Sequence, residues 1–162
     1  MQEGTVVQVH SENTLSGTGQ FVTITYDREG KLNALNSEGI HELSRCFDAI
    51  VDDPTVRAVI LAGAGQKAFV GGADIVELSN LNTETARTFI SSLHDLFTKI
   101  RNFPVPVIAK INGYALGAGM ELAAACDLRI ASNTAIFGMP EVKVGLPSVI
   151  EAALLPRLVG WG

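Results

Sequence analysis

No stretch of this sequence reaches the roughly 18 consecutive apolar residues that a membrane span requires. The most apolar tract near the C-terminus, Leu146 to Trp161, is broken by Glu151, Pro156 and Arg157. The opening MQEGTVVQVH has no basic region followed by an apolar one, so it does not read as a secretory signal. Cysteine is scarce. Cys46 and Cys126 both lie inside helix-like apolar segments, which fits buried free thiols in a reducing compartment. Positive charge is short as well: 12 Lys+Arg against 17 Asp+Glu leave a net charge of −5, which argues against a nucleic-acid surface. An anionic small ligand stays open, because backbone N–H groups can bind phosphates and oxyanions. There is no internal repeat, no low-complexity segment and no linker.

What is present suits one domain. The 162 residues are 47 % hydrophobic and 18 % charged, enough apolar material to bury a core. Residues 5–10 and 21–26 are β-branched runs around Ser16-Gly17-Thr18-Gly19 and predict an opening hairpin with a long loop. Asn36 or Ser37 can cap a helix over 38–52, whose apolar face is Ile40, Leu43, Phe47, Ile50 and Val51. Asp52-Asp53-Pro54 stops it. Residues 57–62 read as a buried parallel strand. A glycine-dense loop follows over 63–74, then a helix over about 83–102 marked by Phe89, Leu93, Leu96, Phe97 and Ile100. Pro104 and Pro106 end it before a strand over 106–111. Strands alternating with amphipathic helices predict the α/β class with right-handed crossovers.

The chemistry concentrates between Pro104 and Leu146. After the strand, Asn112-Gly113 breaks the run, Gly117-Ala118-Gly119 makes a glycine-spaced turn, and an alanine-rich helix carries Glu121 in its first turn. Glu141 follows after another short strand pattern. The first N–H groups of such a helix lack intrahelical partners, and its dipole adds partial positive charge. The Ala118 N–H therefore suits an enolate or carbonyl oxygen, and the glycine-flanked loop at Ala73 can offer the second donor of an oxyanion hole. The same glycines can equally serve close helix–strand packing. A dinucleotide fingerprint fits poorly, because Leu122 stands where the third glycine belongs.

Taken singly, Glu121 reads as a first-turn helix charge and Glu141 as an exposed loop acid. Taken together around glycine-rich turns, they suggest an acid/base pair able to deprotonate a water and deliver a proton, with pKa values pushed apart by burial or mutual repulsion. His10, His41 and His94 show no second ligand at metal spacing and read as surface or core residues. Asp74 and Asp127 read as caps or turn residues, and Glu151 as a solvated residue of the final helix. Lys31 and Lys67 are candidate phosphate contacts. No Ser–His–Asp order or Cys–His pairing is evident.

These residues resemble the enoyl-CoA hydratase/isomerase, or crotonase, family over nearly the whole chain. Lys31-Leu32-Asn33-Ala34-Leu35, Lys67 to Ile75, Asn112 to Leu122 and Phe137 to Glu141 follow four of the family's motifs in register. The resemblance implies a crotonase (ClpP-like) spiral of ββα units over 1–162. It implies that the Ala73 and Ala118 N–H groups hold a thioester oxygen. Glu121 and Glu141 then match both catalytic glutamates of the hydratases, which hydrate a 2-enoyl-CoA to a 3-hydroxyacyl-CoA; isomerisation of the double bond is the alternative. Lys31 and the Ala73-Asp74-Ile75 stretch would flank the CoA moiety. CoA arrives on the substrate, and neither a metal nor a separate cofactor is implied. The family points to fatty acid metabolism and a homo-oligomer (trimer or hexamer). Some family members bind RNA through a lysine-rich helix, but the helix over 38–52 has no lysine; with the negative net charge and the lack of an apolar span, neither a nucleic-acid nor a membrane partner is expected. The family points to an intracellular location: cytoplasmic, or mitochondrial or peroxisomal with a further signal.

Three departures from the family pattern stand out. Ala118 replaces the middle glycine of the motif. Ser148-Val149-Ile150-Glu151 stands after Pro147 where glycines are expected. The sequence ends at Trp161-Gly162, where relatives continue with a C-terminal helical region that helps cover the ligand and build trimers. A shortened, non-catalytic relative of the same fold is therefore the third expectation.

Overall fold

The computed structural model describes residues 5–161. The two opening runs pair as an antiparallel hairpin, β1 (Val7–Asn13) with β2 (Gln20–Tyr26), in which Val7 faces Tyr26. Gly17, at φ +70°, turns the loop between them. Asn36 caps α1 (Ser37–Ile50) by accepting the Gly39 N–H. The chain then runs through β3 (Val56–Gly63), β4 (Ala68–Val70), α2 (Ile75–Leu78) and α3 (Thr83–Arg101). It continues through β5 (Val107–Ile111), β6 (Tyr114–Leu116), α4 (Ala118–Ala125), β7 (Leu128–Ala131), β8 (Ile136–Gly138) and α5 (Leu155–Val159).

The larger sheet has the order β1-β2-β3-β5-β7, with every pairing after the first hairpin parallel. A second, parallel sheet has the order β4-β6-β8. One face of the central strands is fully apolar and buried: Val59 and Leu61 of β3 lie beside Val107 and Ala109 of β5, whereas Lys110 on the opposite face is exposed. All five apolar residues that marked α3 in the sequence are buried, as are Ile40, Leu43 and Phe47 of α1. Each fully buried Leu or Phe is worth about 1.5–3 kcal/mol. Ile50 is only partly buried, and Val51, at the C-cap of α1, half emerges into solvent. Lys99 ties α3 to α1 through Asp48 at 2.6 Å and Ser44 at 2.7 Å. Cys46 and Cys126 are free thiols; burial raises both, Cys126 to about 12, but only Cys126 is fully buried.

The second sheet lies where the sequence reads as loop and turn. Its strands are three residues each, too short to show a period, and they are set by close backbone approach. A Cβ at Gly113 would collide with the Lys67 carbonyl, and one at Gly119 with the Val70 carbonyl. Gly119 therefore serves the packing of α4 against β4. Glu151 also departs from expectation. Pro156 confines α5 to residues after Leu154, since proline is tolerated only in a helix's first turn. Glu151 thus precedes the 3-10 turn Ala152–Leu154 and is buried rather than solvated. Among the described residues no helix is long and apolar enough to cross a membrane, and no group of three or more His, Cys, Asp or Glu could hold a metal ion.

Candidate active site

A cavity of about 440 Å³ opens between α2, α3, the start of α4 and residues 140–150. Ile75, Leu78, Phe89, Ile90 and Leu93 make much of its wall apolar, and residues 146–150 line it as well. Ala73, Ala118, Glu121 and Glu141 all line this one space. The structure thus brings together the two alanines and two glutamates that the sequence singled out.

Ala73 owes its orientation to the turn at 31–35. Leu32 and Asn33 both adopt left-handed backbone (φ 53° and 54°), and Asn33 is fully buried. Its side chain accepts the Arg28 N–H at 3.0 Å and donates to the carbonyls of Ala64 at 2.9 Å and Ala68 at 2.8 Å. This fixes Leu35 beside the loop at 72–74, where the Leu35 N–H donates to Gly72 O and its carbonyl accepts the Asp74 N–H, each at 2.8 Å. Successive peptide groups alternate in direction along extended backbone. With Gly72 O and Asp74 N–H directed at Leu35, the Ala73 N–H is turned the opposite way.

The Ala118 N–H is the first of α4. The Gly117 carbonyl accepts the N–H groups of Met120 at 2.9 Å and Glu121 at 3.1 Å, and no side chain caps the helix. Gly117 turns the chain into α4 with φ +50° and ψ −123°. A Cβ there would sit 3.2 Å from Glu141 Oε2. The alternatives left open for these glycines divide between them: Gly119 packs the helix, and Gly117 sets the entry geometry and leaves room for a carboxylate.

Glu121 is buried, and its Oε1 accepts the Glu151 N–H at 3.0 Å. Burial pushes its carboxyl above the usual carboxylate range. The Glu151 N–H opposes this, the neighbouring negative charge of Glu141 adds to it, and the N–H groups of Ala152 and Ile150 oppose it. Glu141 sits in the 3-10 turn Pro140–Val144 and is half-buried rather than an exposed loop acid. Its Oε1 accepts the Ser148 hydroxyl at 2.8 Å, while its Oε2 is buried and has no hydrogen-bond partner. A buried carboxylate oxygen without a partner, beside a second carboxylate, is suited to a water or a transferring proton.

Other named residues lie elsewhere. Lys31 is exposed on the 3-10 turn Glu29–Lys31 and does not line the cavity. The Asp74 carboxylate is committed to structure: it pairs with Arg28 at 2.9 Å and caps α2 through the N–H groups of Val76 and Glu77. Burial raises its carboxyl, but the Arg28 hydrogen bond and the two N–H groups outweigh that and hold it below the usual range. From the Ala73-Asp74-Ile75 stretch, Ala73 and Ile75 face the cavity. Ser148 was noted in the sequence only as a departure from glycine, yet it holds Glu141. No local pattern marks it; its role exists only once residues 141 and 148 are folded together.

The family model for enoyl-CoA hydratase/isomerase matches residues 17–161. The chain belongs to this family. It is 44 % identical over 149 residues to a short-chain-enoyl-CoA hydratase of Clostridium acetobutylicum, covering 91 % of this chain and 57 % of that protein. It is 42 % identical over 153 residues to a crotonyl-CoA hydratase of Syntrophomonas wolfei, covering 93 % of this chain and 59 % of that one. An enoyl-CoA hydratase structure from Bacillus anthracis superposes with a TM-score of 0.88 at 37 % identity, over 98 % of this chain and 60 % of that chain. The spiral crotonase fold expected from the motifs is thus present. The chain spans about three fifths of the length of these relatives.

Proposed function

We propose that this site hydrates a 2-enoyl-CoA to a 3-hydroxyacyl-CoA. The observation that carries the reading is the pairing of Glu121 and Glu141 on one apolar cavity, close enough for the charge of Glu141 to act on the Glu121 carboxyl. Hydration needs two proton movements around one water. As the water oxygen bonds to C3, one carboxylate takes its proton; the C2=C3 electron pair moves toward the thioester, and the other carboxyl delivers a proton to C2. The hydroxyl ends on C3 and the hydrogen on C2, and the pair as a whole neither gains nor loses a proton.

Negative charge develops on the thioester oxygen during this step. Donors aimed at that position are worth most in a water-poor site, and loss of one typically costs about 10²–10³ in rate. Ala73, turned away from Leu35, and Ala118, first in α4, supply N–H groups for this. The apolar wall from α2 and α3 suits the acyl group, since it offers no polar partner to a bound chain. Lys31 and the edge of the 73–75 stretch are proposed to flank the CoA portion outside the cavity.

Hydratases named among the relatives support the choice within the family, as does the second glutamate, which a simple double-bond shift does not require. The test is turnover of a short 2-enoyl-CoA, followed by loss of its conjugated-thioester absorbance. The parent is expected to consume it, and Glu141→Gln is expected to be inactive. A folded parent that leaves the absorbance unchanged would overturn the reading for these 162 residues.

A further inference from the structure

The carboxylate of Glu151 has no place in the chemistry above, yet it is buried, with 7 % of its side chain exposed, while both its partners lie on α3. His94 Nδ1 stands 2.9 Å from Oε1, and Arg101 Nη1 stands 3.5 Å from Oε2. The His94 contact is an ion-pair distance without hydrogen-bond alignment, so Oε1 retains unused acceptor capacity. His94 and Arg101 are two helical turns apart on one face of α3, and together they straddle the carboxylate.

The backbone of the same residue faces the other way. Its N–H donates to Glu121 Oε1, and the neighbouring N–H groups of Ile150 and Ala152 act on the same carboxylate. Three residues earlier, Ser148 donates to Glu141. Residues 148–152 therefore hold both glutamates, and the Glu151 side chain fastens that segment to a long, well-packed helix.

We infer that Glu151 is a positioning residue: anchored by His94 and Arg101, it holds segment 148–152 in the register that presents N–H groups to Glu121 and the Ser148 hydroxyl to Glu141. The inference rests on the proposed acid/base pair for its catalytic meaning, but the anchoring itself is measurable without turnover. The titratable and charged groups facing this network are His94 and Arg101 from α3, Glu121 from α4 with Glu141 beside it and, bordering Arg101 across a second cavity, Asp127 and Arg157.

The experiment follows the Glu121 carboxyl through a pH titration by carbon-13 NMR of labelled glutamate, with Glu121→Gln assigning the signal. Glu151→Gln and Glu151→Leu remove the same charge and have similar volume, but only glutamine can still accept from Arg101 and keep a polar group beside His94. Glu151→Ala removes the whole anchor. With the anchor gone, Glu121 loses N–H donors, and its midpoint is expected to rise by about one pH unit in the Leu and Ala variants. In Glu151→Gln it stays at or below the parent value. Leucine fills the buried space, so that variant folds even where alanine does not.

Where the parent turns over, kcat is expected to fall roughly tenfold in Glu151→Leu with KM little changed, as for a group acting through a catalytic one. A Glu121 midpoint in Glu151→Leu equal to that in Glu151→Gln would overturn the inference. A parent without hydratase activity whose Glu121 still responds would remove the proposed function and leave the anchor standing. An active parent whose Glu121 does not respond would do the reverse.

Discussion

Glu121 Oε1 accepts the backbone N–H of Glu151 at 3.0 Å, which ties a buried acid of α4 to a segment 30 residues later in the chain. Through this contact the pocket's far wall controls one of its two carboxylates. The electrostatic state of the site is therefore set by the fold around it, and several outcomes can be stated from that.

Glu121→Gln should separate activity from stability. Burial raises the Glu121 carboxyl above its unfolded value, so the folded state binds more protons than the unfolded one between the two values. Stability is complete below the unfolded value of about 4.3 and falls as pH rises through the raised one. The glutamine variant has nothing to ionise there and still accepts the Glu151 N–H. Thermal melts at neutral pH are expected to show it at least as stable as the parent, with hydration reduced by roughly 10²–10⁴.

Ser148→Ala tests the hold on Glu141. The hydroxyl occupies Oε1 at 2.8 Å and leaves Oε2 for the pocket. Removing it frees the carboxylate to rotate. Steady-state kinetics are expected to show kcat down roughly tenfold, equivalent to about 1.4 kcal/mol in the barrier, with little change in KM.

Gly117→Ala is expected to damage both fold and site. The backbone at φ +50° and ψ −123° is strained for an L side chain, and the new Cβ would press on Glu141 Oε2 at 3.2 Å. Denaturant unfolding is expected to show a loss of roughly 1–3 kcal/mol, and activity should fall further than stability alone accounts for.

Asp74 should prove structural. Asp74→Asn keeps a side-chain oxygen for the α2 cap but loses the ion pair with Arg28, whereas Asp74→Ala loses both. The alanine variant is expected to be less stable than the asparagine variant by about 1 kcal/mol, the usual value of an N-cap. The Asp74 carboxyl is held below its ordinary range, so its contribution is present above about 3.9 and fades as pH falls through the lower folded value. Melts of the parent and Asp74→Asn should converge in acid, with Asp74→Ala remaining below both.

The sequence carries much of this arrangement in plain view. Apolar spacing in α1 and α3 marks their buried faces because a helix repeats every 3.6 residues whatever its neighbours do. Gly117-Ala118-Gly119 and Glu121 stand close together in sequence and remain so in space. The second sheet was not legible, because β4, β6 and β8 are too short for a period and depend on contacts such as Gly113 against Lys67. Glu151 was misread for a related reason. An acid beside an alanine–leucine run looks like a solvated helical residue, and its burial comes from His94 and Arg101, some 50 residues earlier. Asn33 and Ser148 likewise act through partners that only the folded chain supplies.

Loss of the conjugated absorbance alone does not separate hydration from movement of the double bond out of conjugation. The measurement that tests the central claim most directly is therefore turnover of a 2-enoyl-CoA in oxygen-18 water, with the product weighed by mass spectrometry. The expected product is a 3-hydroxyacyl-CoA carrying one oxygen-18 atom, formed at a rate reduced by at least roughly 10² in Glu121→Gln and Glu141→Gln. A product of unchanged mass with a shifted double bond would contradict it and assign the pair to isomerisation.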